Sequence, residues 1–360
     1  MSRLYRIVFL LHVLFFVAHS KGADHPENII ILIGDGMGLN YVAANVLMHN
    51  NSPFRKFTTV GLSITRSIDK LITDSAAAAT AIATGYPTKN RYVSVDTFYN
   101  KLQTVFEYAQ KLGLTTGLVV TDNIPGATPA AFYAHHKSRR NYFDIAKQII
   151  DSNLKVAIGG GKKFYLPLEE GGSREDSIDL IEELQSRDYK ICYNFNDLAE
   201  SSPNDNIIGL LSFEGLPLAE ERNYTLGNLT SIAIDHLNAN NNGFVLLVEG
   251  SQIDWAGHDT NSVYLLSELE DFSSAVETSL AFAENNENTL VIVTSDHETG
   301  GMTITGGSLD ADSLNIEFID THHTAGFVGV FACGPGSEIF NGIYDNYMIG
   351  RKLFKLLGDD

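Results

Sequence analysis

A chain of 360 residues that is 44% hydrophobic and 19% charged has enough apolar material for one substantial core and the solvated surface of a globular protein. Its formal net charge of −19 excludes binding to a nucleic-acid phosphate backbone, which needs basic patches. The same charge requires any anionic ligand to be drawn in by a local positive site, such as metal ions or an arginine.

The first segment, MSRLYRIVFLLHVLFFVAHSKGAD, has the form of a secretory signal. Arg3 and Arg6 are basic, Ile7 to Ala18 is apolar, and the small residues Ala18, Ser20, Gly22 and Ala23 follow. The apolar run, about 12 residues, is shorter than the roughly 20 that span a bilayer, and an uncleaved anchor is the competing reading. No second long apolar run follows. The sequence predicts an exported protein, periplasmic or extracellular, with a signal peptide over 1–22 and a single domain over 23–360.

Strands are predicted at Ile29–Ile33, Thr116–Thr121, Lys155–Ile158, Gly243–Val248, Leu290–Thr294 and Phe327–Ala332. Helices are predicted at Leu39–His49, Lys101–Lys111, Asn141–Asp151, Ile178–Ser186, Leu226–Leu237, Tyr264–Ala283 and Tyr344–Leu357. Continuous Val/Ile/Leu strands alternating with helices indicate an α/β three-layer sandwich, with a large, mainly parallel sheet covered by helices on both faces. Polar stretches at 169–176 and 200–206 read as surface excursions. Cys192 and Cys333 are too few for a disulfide scaffold and read as two buried free thiols, with one long-range bridge as the competing reading. Asn50, Asn223 and Asn228 stand in glycosylation sequons.

Ligands of such sheets bind beyond the carboxyl ends of the strands, so the residues after each apolar run carry the functional reading. After the first strand, GDGMG puts Asp35 in a glycine-rich turn that matches neither phosphate-loop nor dinucleotide fingerprints. Next comes DSAAAATA, whose Ser75 heads an alanine-rich helix. The stretch fits both a close-packed structural helix and a serine presented at a positive helix end. VEGSQIDWAGH puts Glu249, Asp254 and His258 within ten residues. A carboxylate and an imidazole four apart on a helical turn suit zinc, and a further carboxylate suits a harder ion. TSDHETGG offers adjacent Asp296 and His297, which reach one metal only if the backbone turns, as Gly300 and Gly301 allow. His322 and His323 precede the last strand, and one of them is expected to be a ligand and the other a bystander. These segments, with Asp35, suggest a polynuclear metal centre that nearly the whole chain must fold to assemble.

In order, IILIGDGMG, TDSAAAATAIATG, ATPAAFYAHHKSR, VEGSQIDWAGH, TSDHET and HHTAGFVGVF closely resemble the alkaline phosphatase family, especially its compact bacterial secreted members. The resemblance implies a phosphomonoesterase that acts through a phosphoserine on Ser75 and forms a homodimer. It implies two Zn2+ and one Mg2+ per subunit. Asp254, His258 and His323 would hold one zinc; Asp35, Asp296 and His297 would hold the other, which also contacts Ser75. Asp35, Thr128 and Glu249 would hold the magnesium. His323 rather than His322 is implied by its place directly before TAG. Arg139 matches the phosphate-binding arginine, with Arg140 as its neighbour. Substrates would be phosphate monoesters, with inorganic phosphate as product, and no nucleic acid or stable membrane span is expected.

Two positions depart from the family pattern. Gly126 stands where members often carry Asp or His supporting the magnesium, and Trp255 stands where some carry Lys or His. Asp74 reads as a helix cap or a partner orienting Arg139. A phosphodiesterase or sulfatase of the same superfamily and a metal-stabilised binding protein are the competing readings. The sulfatase Cys/Ser-x-Pro-x-Arg motif is absent around Ser75, and every implied nucleophile, ligand and arginine position is filled.

Overall fold

The computed structural model describes residues 25–239, 242–308 and 313–359; the predicted signal segment lies outside the described residues. Ile29–Ile33 lies in β1 (Asn28–Gly34), which is buried on both faces, as an unbroken apolar run requires. The other strands are β2 (Thr59–Ile64), β3 (Thr115–Asn123), β4 (Val156–Gly160), β5 (Tyr189–Cys192), β6 (Asn206–Leu210), β7 (Phe244–Gly250), β8 (Thr289–Thr294), β9 (Glu298–Thr299), β10 (Thr303–Gly307), β11 (Leu314–Glu317), β12 (His323–Thr324), β13 (Val328–Cys333) and β14 (Gly342–Asp345). Among the described residues, ten of them form one sheet in the order β14-β2-β13-β8-β1-β7-β3-β4-β6-β5, with β10–β11 and β9–β12 as separate two-stranded ribbons.

Within the large sheet β13 alone runs antiparallel to its neighbours, pairing Val328 with Ser63 and Phe331 with Val293. That reversal places the start of β13 beside the carboxyl ends of β8 and β2. Residues preceding β13 therefore reach the same edge as residues following the parallel strands.

The helices are α1 (Leu39–Met48), α2 (Ser75–Thr84), α3 (Val105–Lys111), α4 (Ala127–Tyr133), α5 (Tyr142–Lys147), α6 (Leu180–Ser186), α7 (Phe195–Ala199), α8 (Leu226–Asn238), α9 (Gln252–His258), α10 (Ser262–Asn285) and α11 (Tyr347–Leu356). Alternate β1 residues face opposite cores. Ile29, Ile31 and Ile33 pack with residues of α2, α4 and α11, while Ile30 and Leu32 pack with α1, α8 and α10. This is the two-faced α/β sandwich expected from the sequence.

Boundaries differ from expectation where side chains compete with the simple pattern. The helix predicted from Lys101 begins at Val105, because Thr104 and Glu107 form a reciprocal capping box. The helix predicted from Tyr344 begins at Tyr347, since Gly342–Asp345 pairs instead with β2 as an edge strand. The segment predicted as a helix over Asn141–Asp151 is α5 followed by a 3-10 turn at Gln148–Asp151. Cys192 and Cys333 are free, Cys192 buried as expected and Cys333 only partly buried, and no helix among the described residues is long and apolar enough to cross a membrane.

Candidate metal centre and nucleophile

Helix α2 is buried along its whole length. Its alanines let it pack under the site, and Gly350 of α11 shows how tightly: a Cβ there would lie 2.4 Å from Gly85 N and 2.6 Å from Ile82 O. Asp74 caps the helix, its Oδ1 accepting the Ala77 N–H at 3.1 Å. Its Oδ2 faces Arg139 Nη1 at 3.4 Å. Asp74 thus fills both roles considered for it. Ser75, the first helical residue, is buried with Oγ 3.3 Å from His297 Nε2.

The strand ends converge around that hydroxyl. His297 Nε2 lies 3.1 Å from Asp296 Oδ2 and 3.4 Å from Asp35 Oδ1. The turn after β8 orients Asp296: Gly36 N–H and His297 N–H both donate to its Oδ1, at 3.1 and 2.9 Å, leaving Oδ2 without a hydrogen bond. Gly36 has φ +69°, and a Cβ there would fall 2.7 Å from Thr299 Oγ1 and 2.9 Å from Asp254 Oδ1. Only glycine suits both this conformation and this space.

A second group adjoins the first. Asp254 Oδ2 lies 3.3 Å from His258 Nε2, one helical turn away on α9, and Asp254 Oδ1 lies 3.6 Å from His323 Nε2. The Nδ1 atoms of His258 and His323 meet the carbonyls of Thr321 and Thr73 at 2.5 and 3.0 Å. A carbonyl accepts only, so each Nδ1 carries hydrogen, which makes Nε2 the nitrogen that could ligate a metal once it gives up any proton. His322, with 80% of its side chain exposed, turns instead to Asp320 and stands outside both groups. Ligand atoms of Asp254, His258 and His323 lie within 4.8 Å of one another, as do those of Asp35, Asp254 and His297. Asp254 therefore adjoins both groups, whereas the family resemblance places it in one.

Glu249, at the end of β7, and Thr128, in the first turn of α4, are buried beside these groups, and Glu249 Oε2 and Thr128 Oγ1 lack hydrogen-bond partners. Asp35 Oδ1 is likewise buried without one. Arg139 is half-buried and Arg140 exposed. Trp255 is 36% exposed, and a Cβ on Gly215 would lie 2.8 Å from its Cη2, so the indole packs on that loop.

The charges explain what such a cluster needs. Burial, followed by repulsion from Asp296, Asp254 and Glu249, pushes the Asp35 carboxyl well above its usual range. Burial and then Asp122 raise Glu249 to about 8. The hydrogen bond with Asp254 lifts His258 to about 9, whereas burial and His297 push His323 down to about 4. Buried carboxylates with orphaned oxygens demand positive charge. Divalent cations meet that demand with the donor types present: carboxylate and imidazole for zinc, carboxylate and hydroxyl oxygens for magnesium. The residues present fit the two zinc ions and one magnesium ion of the resemblance.

Motif reading missed the bracing residues. Thr299 donates from Oγ1 to Asp254 Oδ1 at 2.5 Å and stands 3.3 Å from His297 Nδ1. Its place two residues after His297 was the available signal. The carbonyls of Thr73 and Thr321 left no signal in residue type.

The sequence model described as "Alkaline phosphatase" matches residues 26–311. Alkaline phosphatase 4 of Bacillus subtilis is 39% identical over 308 residues, covering 80% of this chain and 65% of that protein. The alkaline phosphatase of Escherichia coli K12 is 31% identical, with coverage of 76% and 71%. The chain thus spans about two thirds of the length of these curated relatives. The alkaline phosphatase structure from the Antarctic bacterium TAB5 superposes with a TM-score of 0.87 at 37% identity, covering 93% of this chain and 99% of that one. A histidine-to-glutamate variant of the TAB5 protein is described with Mg bound in the M3 site. With its segments in the family's order and matched from end to end of the TAB5 fold, this chain belongs to the alkaline phosphatase family.

Proposed function

We propose that the protein is an exported phosphomonoesterase that hydrolyses phosphate monoesters to an alcohol and inorganic phosphate through a phosphoserine on Ser75. The carrying observation is Ser75 Oγ at the head of a ten-residue helix, 3.3 Å from His297 Nε2 and beside buried carboxylates with unpartnered oxygens.

The residues divide the work. The positive end of α2 favours both the alkoxide of Ser75 and an incoming phosphoryl dianion. Arg139 offers a planar fork to two phosphoryl oxygens, and Asp74 fixes that fork through Nη1. Ser75 Oγ forms a bond to phosphorus as the bond to the leaving alkoxide breaks. Water then attacks the phosphoserine, the phosphorus–Oγ bond breaks, and phosphate departs. Two zinc ions, held by Asp254, His258 and His323 and by Asp35, Asp296 and His297, and a magnesium ion, held by Asp35, Thr128 and Glu249, would supply Lewis-acid stabilisation of the attacking and leaving oxygens when bound.

The apolar run at 7–18 supports export. The family resemblance supports a homodimer. Residues gathered from Asp35 to His323 by one sheet support a single domain over 23–360.

Hydrolysis of p-nitrophenyl phosphate by the purified protein, lost on chelation and restored by zinc, tests the reading, with a phosphodiester and an aryl sulfate as comparison substrates. A metal-replete protein inactive on the monoester, or faster on the diester or sulfate, would refute it.

A further inference from the structure

The pocket of Glu249 and Thr128 has a neighbour that no motif singles out. Asp122 is the penultimate residue of β3, where the pairing with β4 slips: Val119 opposes Ile158, yet Asn123 opposes Gly160. The extra residues form an irregularity of the kind that re-aims side chains beside active sites. Asp122 N–H donates to Ser251 Oγ at 3.2 Å, two residues beyond Glu249. Its Oδ1 accepts from Asn123 Nδ2 at 2.6 Å.

Gly126 makes room for this carboxylate. Its φ is −58°, which any residue adopts, so the backbone does not require glycine. The space does: a Cβ on Gly126 would lie 2.7 Å from Asp122 Oδ2 and 2.8 Å from Asn123 O. After burial, the Asp122 charge is the largest influence raising Glu249, which places the two carboxylates within electrostatic reach. Arg139 and then Lys163 offset part of the Asp122 charge, but Asp122 still repels Glu249, and a cation held beside Glu249 and the unpartnered Thr128 hydroxyl would offset both carboxylates.

We infer that Asp122, seated in the space left by Gly126, supplies a carboxylate to the Glu249–Thr128 pocket and sets its affinity for Mg2+. This rests on reading that pocket as the magnesium site. A magnesium ion keeps several of its waters, and a carboxylate that holds those waters from outside the direct ligands is worth 10–100-fold in metal affinity. Asp122 is in this sense a positioning residue.

The test is titration of chelator-stripped protein with MgCl2 by calorimetry, alongside melting of each metal-free protein. Asp122→Asn is expected to weaken Mg2+ binding at least about tenfold while the metal-free protein melts at the same or a higher temperature, because a like-charge repulsion is gone. Gly126→Ala, which displaces Asp122 without removing its charge, is expected to weaken binding likewise, so the result does not hang on one variant folding. Glu249→Gln reports on the pocket itself. If Glu249→Gln weakens binding but neither Asp122→Asn nor Gly126→Ala does, the role of Asp122 is overturned. If none of the three weakens binding, the magnesium reading of the pocket fails with it.

Discussion

Replacing Asp74 by alanine and by asparagine separates the two jobs of its carboxyl. Oδ1 accepts the Ala77 N–H at 3.1 Å and the Arg91 N–H at 3.0 Å; Oδ2 faces Arg139 at 3.4 Å. Alanine removes the cap, about 1 kcal/mol, and the Arg91 bond, about 1 kcal/mol more. At roughly 2 °C per kcal/mol for a chain this large, the melting temperature falls by about 4 °C. Asparagine keeps an oxygen for both N–H groups and is nearly as good a cap, so its melting temperature moves by about 1 °C or less. Both variants untie Arg139. The pair is partly open to solvent, so its tether is worth about 1 kcal/mol or less, a rise of up to about fivefold in KM for a monoester and in Ki for phosphate. Differential scanning fluorimetry and steady-state kinetics on both variants read the two effects separately. Equal destabilisation by asparagine and alanine would refute the capping role; unchanged or lowered KM and Ki in Asp74→Asn would refute the tether.

Three other outcomes follow from the same structure. Gly350→Ala forces a methyl against Gly85 N and Ile82 O of the α2 end and is expected to cost about 1–3 kcal/mol in urea unfolding. Burial raises Glu268 from its ordinary 4.5 to about 7, although the Ala219 N–H and Arg222 hold it down. The folded protein binds that proton more tightly than the unfolded chain, so the stability it confers is full below 4.5 and lost as pH rises to about 7. Glu268→Gln, which keeps the acceptor for Ala219 N–H, should therefore gain on wild type between pH 5 and pH 8 in denaturation curves. Chelation should lower the melting temperature, because Asp35, Glu249, Asp254 and Asp296 are buried together; zinc and magnesium should restore it.

The sequence reading reached the central strands and the carboxyl-end residues because both leave marks in residue type. An unbroken apolar run marks a strand covered on two faces, and Asp or His directly after it marks a polar group held at the sheet edge. It missed β2, β5, β6 and β14 of the large sheet and all four strands of the two ribbons, β9 to β12. β2, TVGLSI, and β5, YKIC, are short and partly exposed, and their pairing comes from neighbours distant in the chain. The antiparallel sense of β13 was also invisible, yet it is what brings His323 to the site from the front of its strand. The choice of His323 over His322 came from the family pattern, and residue type does not show that the Thr73 carbonyl fixes the His323 imidazole while His322 stays in solvent. Asp122 and Thr299 escaped because their roles depend on space left by Gly126 and on a turn after β8, neither of which spacing reveals.

Mass spectrometry of the acid-quenched, metal-replete protein after exposure to a phosphate monoester locates any covalent phosphoryl group. The expected result is one phosphoryl group on the peptide carrying Ser75, absent in Ser75→Ala together with turnover. Phosphate on a different residue, or undiminished hydrolysis by Ser75→Ala, would contradict the nucleophile and the mechanism built on it.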